Sequence, residues 1–456
     1  MKTSTRSRFS IKGIIYFFTL THEYNLMNFQ SIKQAREQLL TIFSKGLTAV
    51  NGHHCVAEYL SQNSLPTEKV WVVAIGKAAS SMMLGALEYL DSVQSESRLT
   101  AGLVITKQGH GGSFSDKRIT VIESDHPVAT QRSLDAGQRL VEYVSLIPET
   151  DTLLFLISGG TSALVEVLPE NTSPNKTKAE QLSELNHLLL SNPWPIDEIN
   201  RVRQSVSCIK NGKLLGAIKT PHCVQLTISD VPNNDLSIIG SGLLVKGTTQ
   251  HSKSAIALPD WVKRMQANCS PSACLVSLET SPVEHQVEHG IVADNTLARK
   301  AIAQFVSSTG LELLVNEAID GEVTAASKTI ATTLNEGRAG VYLWGGETVI
   351  DLPEYPGLGG RCQSLALHVA EQINQREDVV LLAIGTDGTD GPGDAAGAVI
   401  DGLTIQRGLQ SGFDSHKELL NANAGHYLEE TGDLIDTGPT GTNVMDLIIG
   451  IKLDTH

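Results

Sequence analysis

A repeated apolar run that breaks off into glycine and polar residues constrains this chain more than any other feature. Val70 to Ile75 leads into Gly76-Lys77-Ala78-Ala79-Ser80, and Ala101 to Thr106 into Lys107-Gln108-Gly109-His110-Gly111-Gly112. Thr152 to Ile157 leads into Ser158-Gly159-Gly160-Thr161-Ser162, and Cys223 to Ile228 into Ser229-Asp230-Val231-Pro232. Near-continuous hydrophobicity without alternation marks strands buried on both faces. Helical patterns separate the runs, and that alternation specifies an open, mostly parallel sheet with helices on its faces. Ligands of such sheets gather at the carboxyl ends of the strands, where each of these polar loops falls. The pattern weakens between about 246 and 290 and resumes clearly at Gly340, where Val341 to Trp344 leads into Gly345-Gly346-Glu347-Thr348. The expected division is therefore an N-terminal extension at 1–26, a larger α/β domain at 27–270, a connecting region at 271–339 and a smaller α/β domain at 340–450.

Composition narrows the function classes. The chain has 456 residues, 41% of them hydrophobic, and carries a formal net charge of −15. That balance disfavours nucleic acid and anionic membrane surfaces as partners and leaves room for a local basic pocket. No apolar stretch reaches the length of a transmembrane helix. The six cysteines (55, 208, 223, 269, 274 and 362) include no C-x-x-C pair, so neither a disulfide framework nor a zinc site is expected, and a reducing cytoplasm fits. The run Gly13 to Leu20 follows basic residues but lacks a small-residue cleavage site, so residues 1–26 read as an extension outside the folded domain.

Several loops carry chemistry. Val379 to Ile384 runs into a loop holding Asp387, Asp390 and Asp394 among glycines, which is either a solvated acidic turn or a cation site. Ser158-Gly159-Gly160-Thr161-Ser162 lies between a strand and a helix, where backbone N–H groups serve an anion or simply close a tight turn. Lys77 stands at a helix start, against the helix dipole, and an anionic ligand would explain it. Arg361 follows Gly357-Leu358-Gly359-Gly360 and suits a phosphate or carboxylate. Arg203 and Lys210 belong to basic stretches that either contact phosphates or form a polar helix face. Asp125-His126-Pro127 is a candidate substrate contact or a local cap. His285 and His289 read as an exposed strand face rather than a metal pair. Neither a Walker A loop nor a G-x-G-x-x-G fingerprint occurs, which disfavours a nicotinamide-dependent reductase.

Taken in order, these motifs resemble the glycerate 2-kinase family, whose second domain is called MOFRL. The matching pieces are Val73 to Ala79, Asp125 to Pro127, Ser158 to Leu164, Ile199 to Arg203, Ser229 to Pro232, Gly345 to Thr348, Gly359 to Arg361, Thr386 to Gly397 and Gly438 to Asn443. The resemblance implies ATP-dependent phosphorylation of the 2-hydroxyl of D-glycerate, with the active site in a cleft between a Rossmann-like domain and a MOFRL domain. It places the catalytic lysine and arginine at Lys77 and Arg361. Phosphate contacts are implied at Ser158, Gly159, Gly160, Thr161, Ser162 and Lys210, substrate contacts at Asp125, His126 and Arg203, and Mg²⁺ at Asp387, Asp390 and Asp394. The chain departs from the family pattern at Cys362 and Ser364, at Gln204 and Ser205, at Asn211, and at Met445.

Overall fold

The computed structural model describes residues 9–10, 31–92, 97–170, 175–192, 194–246, 256–269 and 285–454. The chain forms two compact units: an inserted unit, Gly52–Ala293, and a flanking unit built from Met1–Asn51 and Asp294–His456. In chain order, β1 (Phe9–Ser10) and helix α1 (Ile32–Ala49) come first and belong to the flanking unit. The inserted unit then contributes α2 (Gly52–Gln62), β2 (Val70–Ile75), α3 (Ala79–Ser92), β3 (Leu99–Lys107), β4 (Ile119–Ser124) and α4 (Gln131–Ser145). It continues with β5 (Thr152–Ile157), the single turn α5 (Thr161–Leu164), α6 (Lys178–Leu190), α7 (Ile196–Val206), β6 (His222–Ile228), α8 (Asp260–Asn268) and β7 (Gln286–Ala293).

Its six strands run parallel in the order β4-β3-β2-β5-β6-β7. The first strand of the unit, β2, lies at the centre between β3 and β5. This is the doubly wound arrangement, and its order reverses between β2 and β5. Every side chain of β5 is buried, as the unbroken apolar run predicts. Helices α6, α7 and α8 form a separate small core of Leu182, Leu185, Leu189, Val202, Val206, Val262 and Met265. Capping is local and strong: the Thr130 and Ser133 pair closes the start of α4, and Thr177 with Glu180 closes α6. His289 lies exposed on edge strand β7, in line with the expected strand face, whereas His285 precedes the strand and its ring nitrogens are buried.

The flanking unit resumes with α9 (Asn295–Ser308), β8 (Leu313–Glu322), α10 (Val323–Glu336), β9 (Gly340–Val349), α11 (Arg361–Gln372), β10 (Val379–Gly385), β11 (Gly397–Asp401), β12 (Leu434–Asp436) and β13 (Asp446–Lys452). Its seven-stranded sheet has the order β1-β12-β11-β10-β13-β9-β8 and is mixed, because β8 runs parallel to β9 while β13 runs antiparallel to both β10 and β9.

The units correct the expected boundaries. Helix α1 was assigned to the larger domain, yet it packs in the flanking unit, where Arg36 bridges Asp401 Oδ2 at 2.6 Å and Asp433 Oδ1 at 2.8 Å. Gly46 of the same helix sits so close to Ile302 of α9 that a Cβ would fall 2.7 Å from the isoleucine Cδ1. The stretch 271–339 is no simple connector either, for β7 completes one sheet while α9, β8 and α10 build the other unit. Its weak apolar pattern reflects edge position, since β7 and β8 each pair on one side only. Within 1–26, Phe9 and Ser10 pair with Ile435 and Asp436, so this part is joined to a sheet; the rest of that segment lies outside the described residues. Cys208 is disulfide-bonded, against the expectation of unpaired thiols, and its partner lies outside the described residues. Among the described residues, no helix is long and apolar enough to cross a membrane.

Candidate functional site

In the inserted unit the site forms at the point where strand order reverses. Ile75 and Ile157 are paired in register, so the loops after β2 and β5 leave the sheet side by side. Lys77 N–H donates to Gly159 O at 2.9 Å, and Ala78 N–H donates to Ser158 Oγ at 3.1 Å. Gly76 has φ +124°, and a Cβ there would overlap Ser158, so only glycine allows the two loops this close. A Cβ at Gly160 would lie 3.1 Å from His126 Cδ2 and 3.3 Å from Lys77 Cγ, which brings Lys77, His126 and Gly160 together at one spot.

A cavity of about 310 Å³ opens beside them, walled by His126 to Ala129, Gly160, Ser162, Ala163, Glu166, Arg203 and Lys210, with Leu182, Leu185, Asn186 and Leu190 from α6. Lys210 is buried and its Nζ is held by Glu166 Oε2 at 2.6 Å and by Ser162 O at 2.9 Å. Arg203 makes no hydrogen bond or ion pair among the described residues. Burial pushes its pKa down, and the Glu166 charge opposes that shift.

Some expected contacts are placed otherwise. Ser158 is fully buried, with its Oγ engaged by Ala78 N–H, and Thr161 Oγ1 donates to Ser158 O at 2.7 Å, so both side chains hold the loop rather than face a ligand. Lys210 is neutralised by Glu166 instead of being open to phosphate. Asp125 is absent from the cavity wall: its carboxylate accepts from Thr130 Oγ1 at 2.5 Å, Gln108 Nε2 at 3.1 Å and Arg132 Nη1 at 3.2 Å. Gly159, Gly160, Ser162, His126, Arg203 and Lys77 remain grouped at the strand ends.

The flanking unit carries a second cluster. Arg361 opens α11, with Nη1 donating to Glu347 Oε1 and Nη2 lying 3.5 Å from Asp446 Oδ2. Its Nε is buried without a hydrogen-bond partner among the described residues. Burial works to lower the Arg361 pKa, but the Asp446 and Glu347 carboxylates outweigh it and hold the guanidinium firmly charged. Asp446 begins β13 and is paired in register with Gly385 on one side and Gly346 on the other, at the ends of three adjacent strands. The sequence assigns no role to Glu347 or Asp446; the available signal is a carboxylate after Gly345-Gly346 in one case and one opening an apolar strand in the other.

The acidic loop divides its work. Asp390 accepts from Cys362 N–H at 3.1 Å and Gln363 N–H at 2.8 Å, and its own carbonyl accepts from Gln363 Nε2 at 2.9 Å. It thereby caps a helix whose N-cap residue, Gly360, has no side chain to offer. A Cβ at Gly360 would overlap Asp390, which explains the glycine run before Arg361 by close approach. Asp394 is exposed and stands apart. The expected trio of Asp387, Asp390 and Asp394 therefore does not form a cage, and among the described residues no three metal-ligating side chains converge. Asp387 and Asp390 both stay with the arginine cluster, but the Asp390 carboxylate is taken up by the helix start, whereas the Oδ1 atoms of Asp387 and Asp446 lie 3.4 and 3.5 Å from where a Gly385 Cβ would be. Of the departures from the family pattern, Asn211 takes the place of glycine at φ 57°, a conformation asparagine tolerates better than most residues. Gln204 turns away to donate to Ser237 O at 3.2 Å.

Crowded carboxylates give a pH signature. Burial pushes Asp446 up to about 7; Arg361 opposes this, while Glu347, Asp390 and Asp387 add to it. An unfolded aspartate titrates near about 3.9. The folded chain thus holds a proton that the unfolded chain releases, so this contribution to stability is complete below the unfolded value and is lost as pH rises through about 7. The melting temperature of Asp446→Asn, followed from about pH 4 to 8, is expected to fall less with rising pH than that of the parent chain; parallel curves would refute the assignment.

Comparison with known proteins agrees with this architecture. The family model described as Domain of unknown function (DUF4147) matches residues 38–272, and the MOFRL family model matches residues 340–446. The chain is 32% identical over 423 residues to the D-glycerate 2-kinase of Thermotoga maritima, covering 90% of this chain and 97% of that protein. It is 34% identical over 405 residues to the glycerate 2-kinase of Pyrococcus horikoshii, covering 84% and 87% respectively. The crystal structure of the T. maritima glycerate kinase matches with a TM-score of 0.73 at 31% identity, covering 92% of this chain and 100% of that one. Fold and loop clusters thus define a two-unit α/β protein with a doubly wound unit and a MOFRL unit. The chain belongs to the glycerate 2-kinase family.

Proposed function

We propose that this chain transfers the γ-phosphoryl group of ATP to the 2-hydroxyl of D-glycerate, giving 2-phosphoglycerate and ADP. One observation carries the reading: Arg203, which makes no hydrogen bond or ion pair among the described residues, faces a small cavity whose rim brings His126 and Gly160 up to Lys77. A carboxylate held by Arg203 sets the adjacent hydroxyl toward that rim. The hydroxyl oxygen attacks the γ-phosphorus as the bond to the β–γ bridging oxygen breaks; ADP leaves with that bond's electron pair, and the hydroxyl proton passes to solvent. Such a transfer is catalysed mainly by positioning and by cations around the phosphoryl oxygens. Lys77 supplies one fixed charge in this proposal and Arg361 another, with His126 as a substrate contact and the Gly159–Gly160 backbone lying against phosphate.

Mg²⁺ would neutralise phosphate charge. It commonly uses only one or two protein carboxylates and completes its shell with water and phosphate oxygens. Asp387 fits that limited role, because its carboxylate stands in a cluster where negative groups exceed the single arginine. Among the described residues four thiols, those of Cys55, Cys223, Cys269 and Cys362, stay free against the one disulfide at Cys208, and on that balance we assign the protein to the cytoplasm.

The test is direct. The purified chain with ATP, Mg²⁺ and D-glycerate should yield 2-phosphoglycerate rather than the 3-isomer, and Lys77→Ala should lower turnover by about 10²-fold or more. NADH oxidation by hydroxypyruvate without any ATP-dependent product would establish a reductase instead. Ligand binding without turnover would mark a regulatory relative.

A further inference from the structure

We propose that the cavity of the inserted unit is built for 2-hydroxy carboxylates with an apolar substituent, and that it binds them more tightly than glycerate. The inference rests on the kinase reading only for where the hydroxyl points; the binding preference stands on the cavity itself.

Charge fixes one end of the ligand. Lys210 and Glu166 are 2% and 4% exposed and neutralise each other at 2.6 Å, so Arg203 is left as the cation that can receive a carboxylate. The wall formed by Val128, Leu182, Leu185 and Leu190 carries no charge, and Asn186 is the polar side chain among them. Val128 and Leu190 line the cavity yet remain 44% and 60% exposed, which puts both at its opening, on separate elements. Leu185 backs them from the small helical core. The Asn186 amide beside them already donates to Ala129 O at 3.0 Å.

Glycerate would place its terminal hydroxymethyl group in this region. Among the described residues this wall offers that hydroxyl only the Asn186 amide oxygen, whereas an alkyl group would cover exposed apolar side chains. Room is available: at about 30 Å³ per water-sized group, a cavity of about 310 Å³ exceeds what the three carbons and four oxygens of glycerate fill. Each additional buried methylene should strengthen binding by about fourfold.

The experiment is isothermal titration of the full chain, with a non-hydrolysable ATP analogue present, using D-glycerate and D-2-hydroxyisocaproate. The second acid should bind at least about tenfold more tightly. Leu190→Asp should reduce that ratio by about tenfold, and Val128→Asp should act in the same direction; both residues are exposed, so the core is untouched. Arg203→Met should weaken both acids. Equal or weaker binding of the alkyl acid, failure of either acid to bind, or indifference to Arg203→Met would each overturn the proposal. Leu190→Ser provides the same comparison should the aspartate variant misfold. Phosphoryl transfer to glycerate, measured in parallel, reports separately: turnover without the preference sinks this inference alone, and the preference without turnover sinks the kinase reading alone.

Discussion

Arg361→Ala is expected to lower kcat for glycerate phosphorylation by about 10³-fold or more, the scale of losing an arginine that faces a transferring phosphoryl group. The guanidinium is poised rather than merely paired. Glu347 and Asp446 hold two of its nitrogens while Nε lies buried without a partner among the described residues. A structural role alone predicts something different. Removing the arginine leaves Asp446 without its countercharge, but that carboxyl already sits near about 7 and is relieved by taking up a proton. The fold should therefore survive the substitution far better than turnover does. Arg361→Lys keeps a charge but loses the planar fork, so it should recover only part of the rate. Near-parental kcat in the alanine variant, with the fold verified by circular dichroism, would remove Arg361 from the proposed chemistry.

Arg36→Met should cost about 3 kcal/mol of folding stability, in the range found when one member of a buried ion-pair network is removed. Arg36 and Arg407 together neutralise Asp401 and Asp433, whose side chains are 5% and 1% exposed. Thr431 Oγ1 and Leu403 N–H complete the carboxylate bonding at 2.8 and 2.9 Å. Methionine keeps much of the bulk but leaves one negative charge in excess at a buried site. Urea denaturation is the measurement, read as a lower midpoint with unchanged slope. A change under about 0.5 kcal/mol, the scale of an ordinary surface substitution, would mean the network contributes nothing beyond local order.

These residues also show where sequence reading reaches and where it stops. The sheet of the inserted unit is legible because β2 and β5 are unbroken apolar runs, and the loops that follow them announce a site at their carboxyl ends. Lys77 and Gly160 are found that way. What escapes is every assignment that depends on a distant partner. Nothing near Arg36 signals that it belongs with Asp401 and Asp433, 365 and 397 residues further on. Asp390 looks like a metal ligand beside Asp387 and Asp394, and only the missing side chain at Gly360 hints that it serves a helix start instead. Asp446 is a lone carboxylate before an apolar strand. Its importance arises from having Gly385 and Gly346 as lateral neighbours, which the chain does not bring near it in sequence. Lys210 reads as an available cation until Glu166 is found against it.

The insertion of residues 52–293 into the flanking unit also has a kinetic meaning. During synthesis α1 emerges early, exposing Leu39, Leu40, Ile42, Phe43 and Leu47, the residues that end up in the core. The carboxylates that will hold Arg36 follow 365 and 397 residues later, which at about 10 residues per second is a wait of over half a minute. The inserted unit can complete its sheet on the ribosome in that interval, whereas the helix made before it remains without its permanent partners. On the nascent chain, α1 is therefore an apolar face that waits longer than the inserted unit for the residues that cover it.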